Sequence, residues 1–206
     1  MIYLSGCLPS KPEISQQLIE CGVGILLTPY SQRNLDDHNW KWAADNGCFA
    51  ARWEHHAWLN WLQTRPNPQQ ALFAVVPDTV CNPTDTTRKW ELHHQTVAAL
   101  GYKTAYVLQD GATNNHIPWE QLDCLFIGGS TQYKLSDESK HHVKEAKRRN
   151  KWVHMGRVNS QRRIELAHEW GCDSADGTYL AFGPDINTPK LVKMIRYGTR
   201  PQLELA

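Results

Sequence analysis

The 206-residue chain lacks most of the short signatures that would tie it to a metal, a membrane or a secreted scaffold. Its six cysteines, Cys7, Cys21, Cys48, Cys81, Cys124 and Cys172, form no C-x-x-C pair. They are scattered, mostly at the ends of apolar runs, which argues for reduced intracellular thiols and against a disulfide framework or zinc knuckle. No H-x-x-x-H or H-E-x-x-H pair is present, and no Gly-rich phosphate loop of the P-loop type. No stretch approaches the ~20 apolar residues of a membrane span. The start, MIYLSGCLPSK, carries the Leu-Ser-Gly-Cys of a lipoprotein cleavage site. It has neither a basic leader nor an apolar stretch of roughly 7–15 residues, so it reads as no signal. Charge of either sign is not in excess: the formal net charge is +1. That leaves nucleic acid open, because local patches carry phosphate contacts. The expectation is a soluble, cytoplasmic protein with no metal and no cofactor.

What is abundant is aromatic and apolar. Nine Trp and ten His are a heavy load for this length, and 41% hydrophobic residues suffice for a real core. Short apolar runs recur at 2–5, 23–28, 41–47, 71–78, 103–111, 122–130, 151–156 and 172–177. Helix-like segments separate most of them: KPEISQQLIECG with an early Pro12 and a terminal Gly22, a Trp-rich stretch near 53–64, PTDTTRKWELHHQTVAAL, and stretches at 136–150, 160–170 and 187–197. A polar loop runs through Asn39 between the second and third runs. Continuous apolar runs, without period-2 alternation, mark strands buried on both faces. Their alternation with helices implies right-handed βαβ units. The expected fold is therefore α/β, a compact (β/α)8 TIM-like barrel formed as one domain over residues 1–206; an open doubly wound sheet is the alternative.

The C-terminal ends of these runs share a second feature. They carry Asp45-Asn46-Gly47, Pro77-Asp78, Gln109-Asp110-Gly111, Gly128-Gly129, His154-Met155-Gly156 and Asp173 to Gly177. Any one of these is unremarkable, since Asp and Gly begin turns. Their repetition places carboxylates, an amide and glycine backbone on the one face where barrel active sites are built. Two opposed carboxylates suit glycosidic chemistry. An amide, a carboxylate and glycine N–H groups suit the hydrogen-bonding edge of a purine, which Phe49 and Met155 could sandwich. The pairs His55-His56, His93-His94 and His141-His142 lie in helical segments and read as structural. Trp40, Trp42, Trp53, Trp58 and Trp61 read as core or helix packing.

In this order, these residues resemble the tRNA-guanine transglycosylase superfamily, most closely its DNA-directed branch, which inserts 7-deazaguanine derivatives into DNA. DNGCF (45–49) resembles the family's Asp-Ser-Gly-Gly-Phe/Tyr motif, YVLQDG its Val-Gln-Gly, and FIGGS its Ile-Gly-Gly. VHMGRVNSQRRIELAHEWGCDSADG resembles the Leu-Met-Gly-Val-Gly segment that leads to Gly-Ile-Asp-Met-Phe-Asp. The resemblance implies Asp176 as the nucleophile that holds the sugar covalently, and Asp45 as general acid/base. It implies Phe49 and Met155 against the faces of the base, with Asp78, Gln109, Gly128, Gly129 and Gly156 around its edge. Asp173 then falls to a structural role. The implied substrates are DNA and a 7-deazapurine base such as 7-cyano-7-deazaguanine, with the target nucleotide flipped out or single-stranded.

Several departures bear on the substrate. Asn46 and Cys48 stand where the family has Ser and Gly. The late zinc site of the tRNA enzymes, three Cys and one His, has no counterpart, because no Cys follows Cys172. The chain is also shorter than those enzymes. Both points favour DNA over tRNA. Of the basic residues in the sixth and seventh βα units, Arg157, Arg162 and Arg163 follow a strand end and are the expected phosphate contacts. Lys144 to Arg149 read as a solvated helix face. A tRNA-directed transglycosylase, a glycosidase hydrolysing the same bond, and a non-catalytic base-binding homologue remain as alternatives.

Overall fold

Strands form where short apolar stretches can be covered on both sides, and here that requirement is met by closing the sheet on itself. The computed structural model describes residues 1–9, 11–31, 40–50, 53–181 and 183–198. Eight strands, β1 (Ile2–Ser5), β2 (Val23–Leu27), β3 (Trp42–Ala44), β4 (Ala74–Val75), β5 (Thr104–Leu108), β6 (Cys124–Ile127), β7 (Trp152–Met155) and β8 (Ser174–Gly177), form a closed barrel in chain order. Every pairing is parallel, and β8 returns to β1 with Leu4 opposite Asp176. Helices α1 (Pro12–Glu20), α2 (His55–Gln63), α3 (Pro83–Ala99), α4 (Thr131–Lys134), α5 (Asp137–Arg148) and α6 (Gln161–Glu169) lie in crossovers between strands, and α7 (Pro184–Gly198) follows β8. The fold is the (β/α)8 barrel, and the open sheet is excluded by its closure.

The strands are shorter than the apolar runs, because each run continues into the turn that carries its polar end; β4 retains only two residues of 71–78. The short α4, directly after β6, was not legible as a helix of its own. The polar loop expected through Asn39 lies largely outside the described residues. Helix starts follow ordinary capping: the Glu54 carboxylate accepts the His56 and Ala57 N–H groups, and Ser136 and Ser160 cap α5 and α6.

Side chains alternate between two cores. Leu4, Leu26, Ala43, Phe73, Val75, Ala105, Val107 and Cys124 fill the barrel interior, with Phe126 packed against them. Outward-facing residues such as Tyr3, Ile25, Val153, Met155 and Ala175 pack under the helices in the larger core. Trp42 and Trp58 are buried there, and Trp40, Trp53 and Trp61 lie against it, which fits the packing role expected of the tryptophans. On β7 and β8 this alternation turns His154, Ser174 and Asp176 inward, and the register sets His154 opposite Ser174. Among the described residues no helix is long and apolar enough to cross a membrane.

Candidate active site

The C-terminal ends of β3 to β8 enclose a cavity of about 220 Å³. It is smaller than the ~300–1,000 Å³ of drug-sized ligand sites, so it suits a single flat ring system. Its walls are apolar, from Val75, Val80, Val107, Phe126 and Ile127. Its polar groups are Asp45, Asp78, Gln109, Arg157, Asp176 and Thr178, with the glycine backbone of Gly128, Gly129 and Gly156. Three carboxylates from three different strand ends thus share one small space.

Asp45 follows β3. Its Oδ1 accepts the Gly47 N–H at 2.7 Å. Enclosure by protein pushes its carboxyl from the ordinary 3.8 up to about 7. The Gly47 N–H pulls it down, and the charges of Asp176 and Asp78 push it further up. A carboxyl titrating near neutrality can both give and take a proton.

Asp78, after β4, is gripped from two sides. Asn46 Nδ2 donates to Oδ1 at 2.8 Å and Gln109 Nε2 to Oδ2 at 2.7 Å. Burial still raises its carboxyl above the ordinary value, against the pull of Asn46 and the Lys89 charge. Asn46 is fully committed, its second N–H going to the Val76 carbonyl and its Oδ1 accepting the Cys48 N–H. Gln109 Oε1 accepts the Cys81 N–H, and its side chain borders the cavity beside Asp78.

Asp176, near the end of β8, receives His154 Nε2 on Oδ1 at 2.9 Å and the Arg157 N–H on Oδ2 at 3.3 Å. Arg157 has left-handed backbone, φ 59°, unusual for a residue with a side chain. Its guanidinium lies over the Phe49 ring, 4.3 Å from the centroid, and donates to the Gly129 carbonyl. Phe49 is 63% exposed at the rim, so an arginine plane now covers the face it offers. Beneath, the buried Lys134 donates to the Gly156 carbonyl at 2.8 Å. Burial, with the Arg157 charge nearby, lowers Lys134 to about 8. Gly129 has φ +70°, and a Cβ there would strike the Asp110 carboxylate and approach Tyr133 to 3.2 Å. The turn after β6 thus demands glycine and leaves its backbone open to the cavity.

Of the residues selected from sequence, Asp45, Phe49, Asp78, Gln109, Gly128, Gly129, Gly156, Arg157 and Asp176 line this cavity. Met155 does not. Strand alternation turns it outward into the core under the helices, 1% exposed, so it cannot cover a base. The inward neighbour is His154. Arg162 is exposed on the first turn of α6, and Arg163 braces the Arg157 carbonyl at 3.3 Å; neither lines the cavity. Asp173 sits before β8, at the opposite end of the strand, where Lys147 Nζ meets both its oxygens at 2.7–2.8 Å and the Val153 N–H donates to it. Sequence reasoning did not select Asn46, Lys134 or His154. His154 had a signal: a polar ring in the apolar run WVHMG, in phase with Trp152. Asn46 had only its place directly after a strand, and Lys134, at the end of α4, had none.

The set can hold a donor-rich flat ligand, attack an electrophilic carbon and exchange a proton. No group of His, Cys, Asp and Glu suited to a metal occurs among the described residues. No protein-family model matches the chain, and no curated protein matches it. Among solved structures it is similar to tryptophan synthase from M. tuberculosis, at 12% identity and TM-score 0.59, over 97% of this chain and 92% of that one. It is similar to 3-hexulose-6-phosphate synthase from Salmonella typhimurium, at 10% identity and TM-score 0.56, over 96% of this chain and all of that one. A structure described as native KDPGal matches at 12% identity and TM-score 0.54, over 96% and 94%. At these identities the likeness is one of fold, and a barrel hosts many chemistries.

Proposed function

We propose that the protein is an enzyme, a nucleobase transglycosylase that exchanges guanine in DNA for a 7-deazaguanine derivative through a covalent glycosyl-aspartate. One observation carries the reading: Asp45, raised to about 7, shares a base-sized cavity with Asp176, whose carboxylate accepts two N–H donors. The donors hold the Asp176 carboxylate in place for attack, while a carboxyl raised to about 7, as for Asp45, suits work as acid and then base.

In the first half-reaction Asp176 Oδ2 attacks C1′ of the flipped nucleotide. The C1′–N9 bond breaks, its electron pair passes to the departing guanine, and Asp45 supplies the proton that neutralises it. In the second, Asp45 takes the ring N–H proton of the incoming 7-deazaguanine, whose nitrogen attacks C1′ and returns the electron pair of the ester bond to Asp176. Two displacements replace one difficult one. Asp78, fixed by Asn46 and Gln109, is the acceptor for the base's N–H edge, and the Gly129 backbone borders the same edge. Arg157 leaves Phe49 when the base arrives, because both need the same ring face. Arg162 and Arg163, on the first turn of α6, are the proposed contacts to DNA phosphates. A cytoplasmic location accompanies this reading, consistent with six unpaired cysteines.

The test uses DNA and tRNA carrying labelled guanine, with and without 7-cyano-7-deazaguanine. Release coupled to incorporation into DNA, and a denaturation-stable DNA adduct lost in Asp176→Ala, are expected. Release without incorporation identifies a hydrolase. Absence of release from both polymers, with Asp176→Ala indistinguishable from wild type, overturns the enzymatic reading.

A further inference from the structure

We propose that His154 is the positioning residue for Asp176: a one-way hydrogen-bond chain from Trp152 through Ser174 and His154 ties down Oδ1 and leaves Oδ2 as the attacking oxygen. His154 is fully buried, wedged against Phe73 and Phe126 with ring centroids 5.1 and 4.4 Å away. A polar ring in an apolar barrel interior is costly unless its nitrogens are paired, and both are. Trp152 Nε1, which can only donate, lies 2.8 Å from Ser174 Oγ. Ser174 Oγ also lies 2.8 Å from His154 Nδ1. An ionised Asp176 Oδ1 can only accept, so Nε2, 2.9 Å away, carries the ring proton of His154. Nδ1 of the singly protonated ring then accepts, and the Ser174 hydroxyl, itself accepting from Trp152, gives its proton to Nδ1.

Trp152, His154, Ser174 and Asp176 all belong to the adjacent strands β7 and β8, at inward positions, with His154 in register with Ser174. Two adjacent, paired strands thus carry every member of the hydrogen-bond chain. Tyr3 on β1, Asp45 after β3, Lys134 on α4 and Arg157 after β7 also face Asp176 electrostatically or by contact. Of these, only the Arg157 N–H bonds it, on Oδ2 and at the longer 3.3 Å. His154 does not line the cavity, so it acts through Asp176 and not on substrate. The positional claim stands on the hydrogen-bond geometry; its kinetic consequence rests on the transglycosylase reading.

The experiment has two arms on the full chain. In the first, ¹⁵N spectra of wild type assign the His154 ring proton: a proton on Nε2 and none on Nδ1 is expected, with the Nε2–H signal displaced in Asp176→Asn and the other tautomer appearing in Ser174→Ala. A wild-type proton on Nδ1 overturns the proposal whatever the activity. In the second, DNA-adduct formation is compared in His154→Phe, which keeps an aromatic ring, and His154→Gln, which keeps a donor. Loss of an outer partner of this kind costs about 10–100-fold. That loss is expected in kcat for the Phe variant, with KM for DNA little changed and substantial recovery in the Gln variant. A soluble, folded Phe variant with wild-type kcat also overturns it. If wild type forms no adduct at all, the transglycosylase reading fails and the tautomer alone decides the positioning role.

Discussion

Asp45→Asn should exceed wild type in stability by a margin that grows as pH rises, while removing the proposed transglycosylase activity. The wild-type carboxyl titrates at about 7 in the folded protein and near 3.8 in the unfolded chain. Between those values the folded state holds a proton that the unfolded state has lost. Stability linked to this group is therefore present below pH ~4, falls as pH rises through 7, and levels off above it. Raising a carboxyl from 3.8 to about 7 corresponds to ~4 kcal/mol, of which roughly two thirds is lost between pH 5 and 8. Allowing for the solvent Asp45 still meets at the cavity, the gap between Asp45→Asn and wild type should widen by about 1–3 kcal/mol across that range. The substitution is conservative in geometry, because the Asn oxygen still accepts the Gly47 N–H. Urea unfolding of both proteins at pH 5, 6, 7 and 8 reads the effect directly. With an m-value of about 2 kcal/mol/M, the difference in midpoints should grow by roughly 0.5–1.5 M. A pH-independent difference, or one that narrows toward pH 8, refutes the raised carboxyl and with it the acid/base assignment.

Three further substitutions separate the roles of neighbouring residues. Asp173→Ala removes the Lys147 contact and the acceptor of the Val153 N–H, so it should lower stability by about 1–3 kcal/mol and leave adduct formation intact, as chemical denaturation and the adduct assay would show. Met155→Leu, a volume-conserving change in the outer core, should cost under ~1.5 kcal/mol and leave base affinity by calorimetry unchanged; a loss of affinity would restore Met155 to the site. Gln109→Leu strips one donor from buried Asp78 and the acceptor from the Cys81 N–H. A destabilisation of about 1–3 kcal/mol by urea titration, with weakened base binding, is expected.

The barrel was legible because parallel strands covered on both faces leave long apolar runs, and chain order alone then sets their neighbours. The face that carries the cavity was legible for a related reason. A polar residue ending an apolar run has only one end of the barrel to occupy, so Asp45, Asp78, Gln109 and Asp176 could be grouped before any geometry was known. What could not be read is the direction in which a side chain leaves the strand. The segment WVHMG offers two side chains, His154 and Met155, at nearly the same height on β7. A resemblance of short motifs favoured Met155, while the pleat turns His154 inward. Contacts made by side chains from distant segments were equally hidden: nothing in the chain places Lys134 under the Gly156 carbonyl or Asn46 on Asp78.

The same period-2 rule separates the two acids of GCDSADG. Ser174 and Asp176 share one face of β8, and Asp173 belongs to the other, beyond the strand's first residue. A one-residue slip of β8 would exchange faces, yet the register is pinned independently at both ends. Below, the Lys147–Asp173 pair and the Asp173 acceptor for Val153 hold the start of the strand. Above, a Cβ at Gly177 would collide with the Tyr3 hydroxyl and Asn159, so no other residue can occupy that position. Within β8 the Ser174–His154 bond ties its inward face to β7. Asp173 is therefore one of several independent anchors of the strand that carries Asp176, which is why its loss should cost stability and leave adduct formation intact.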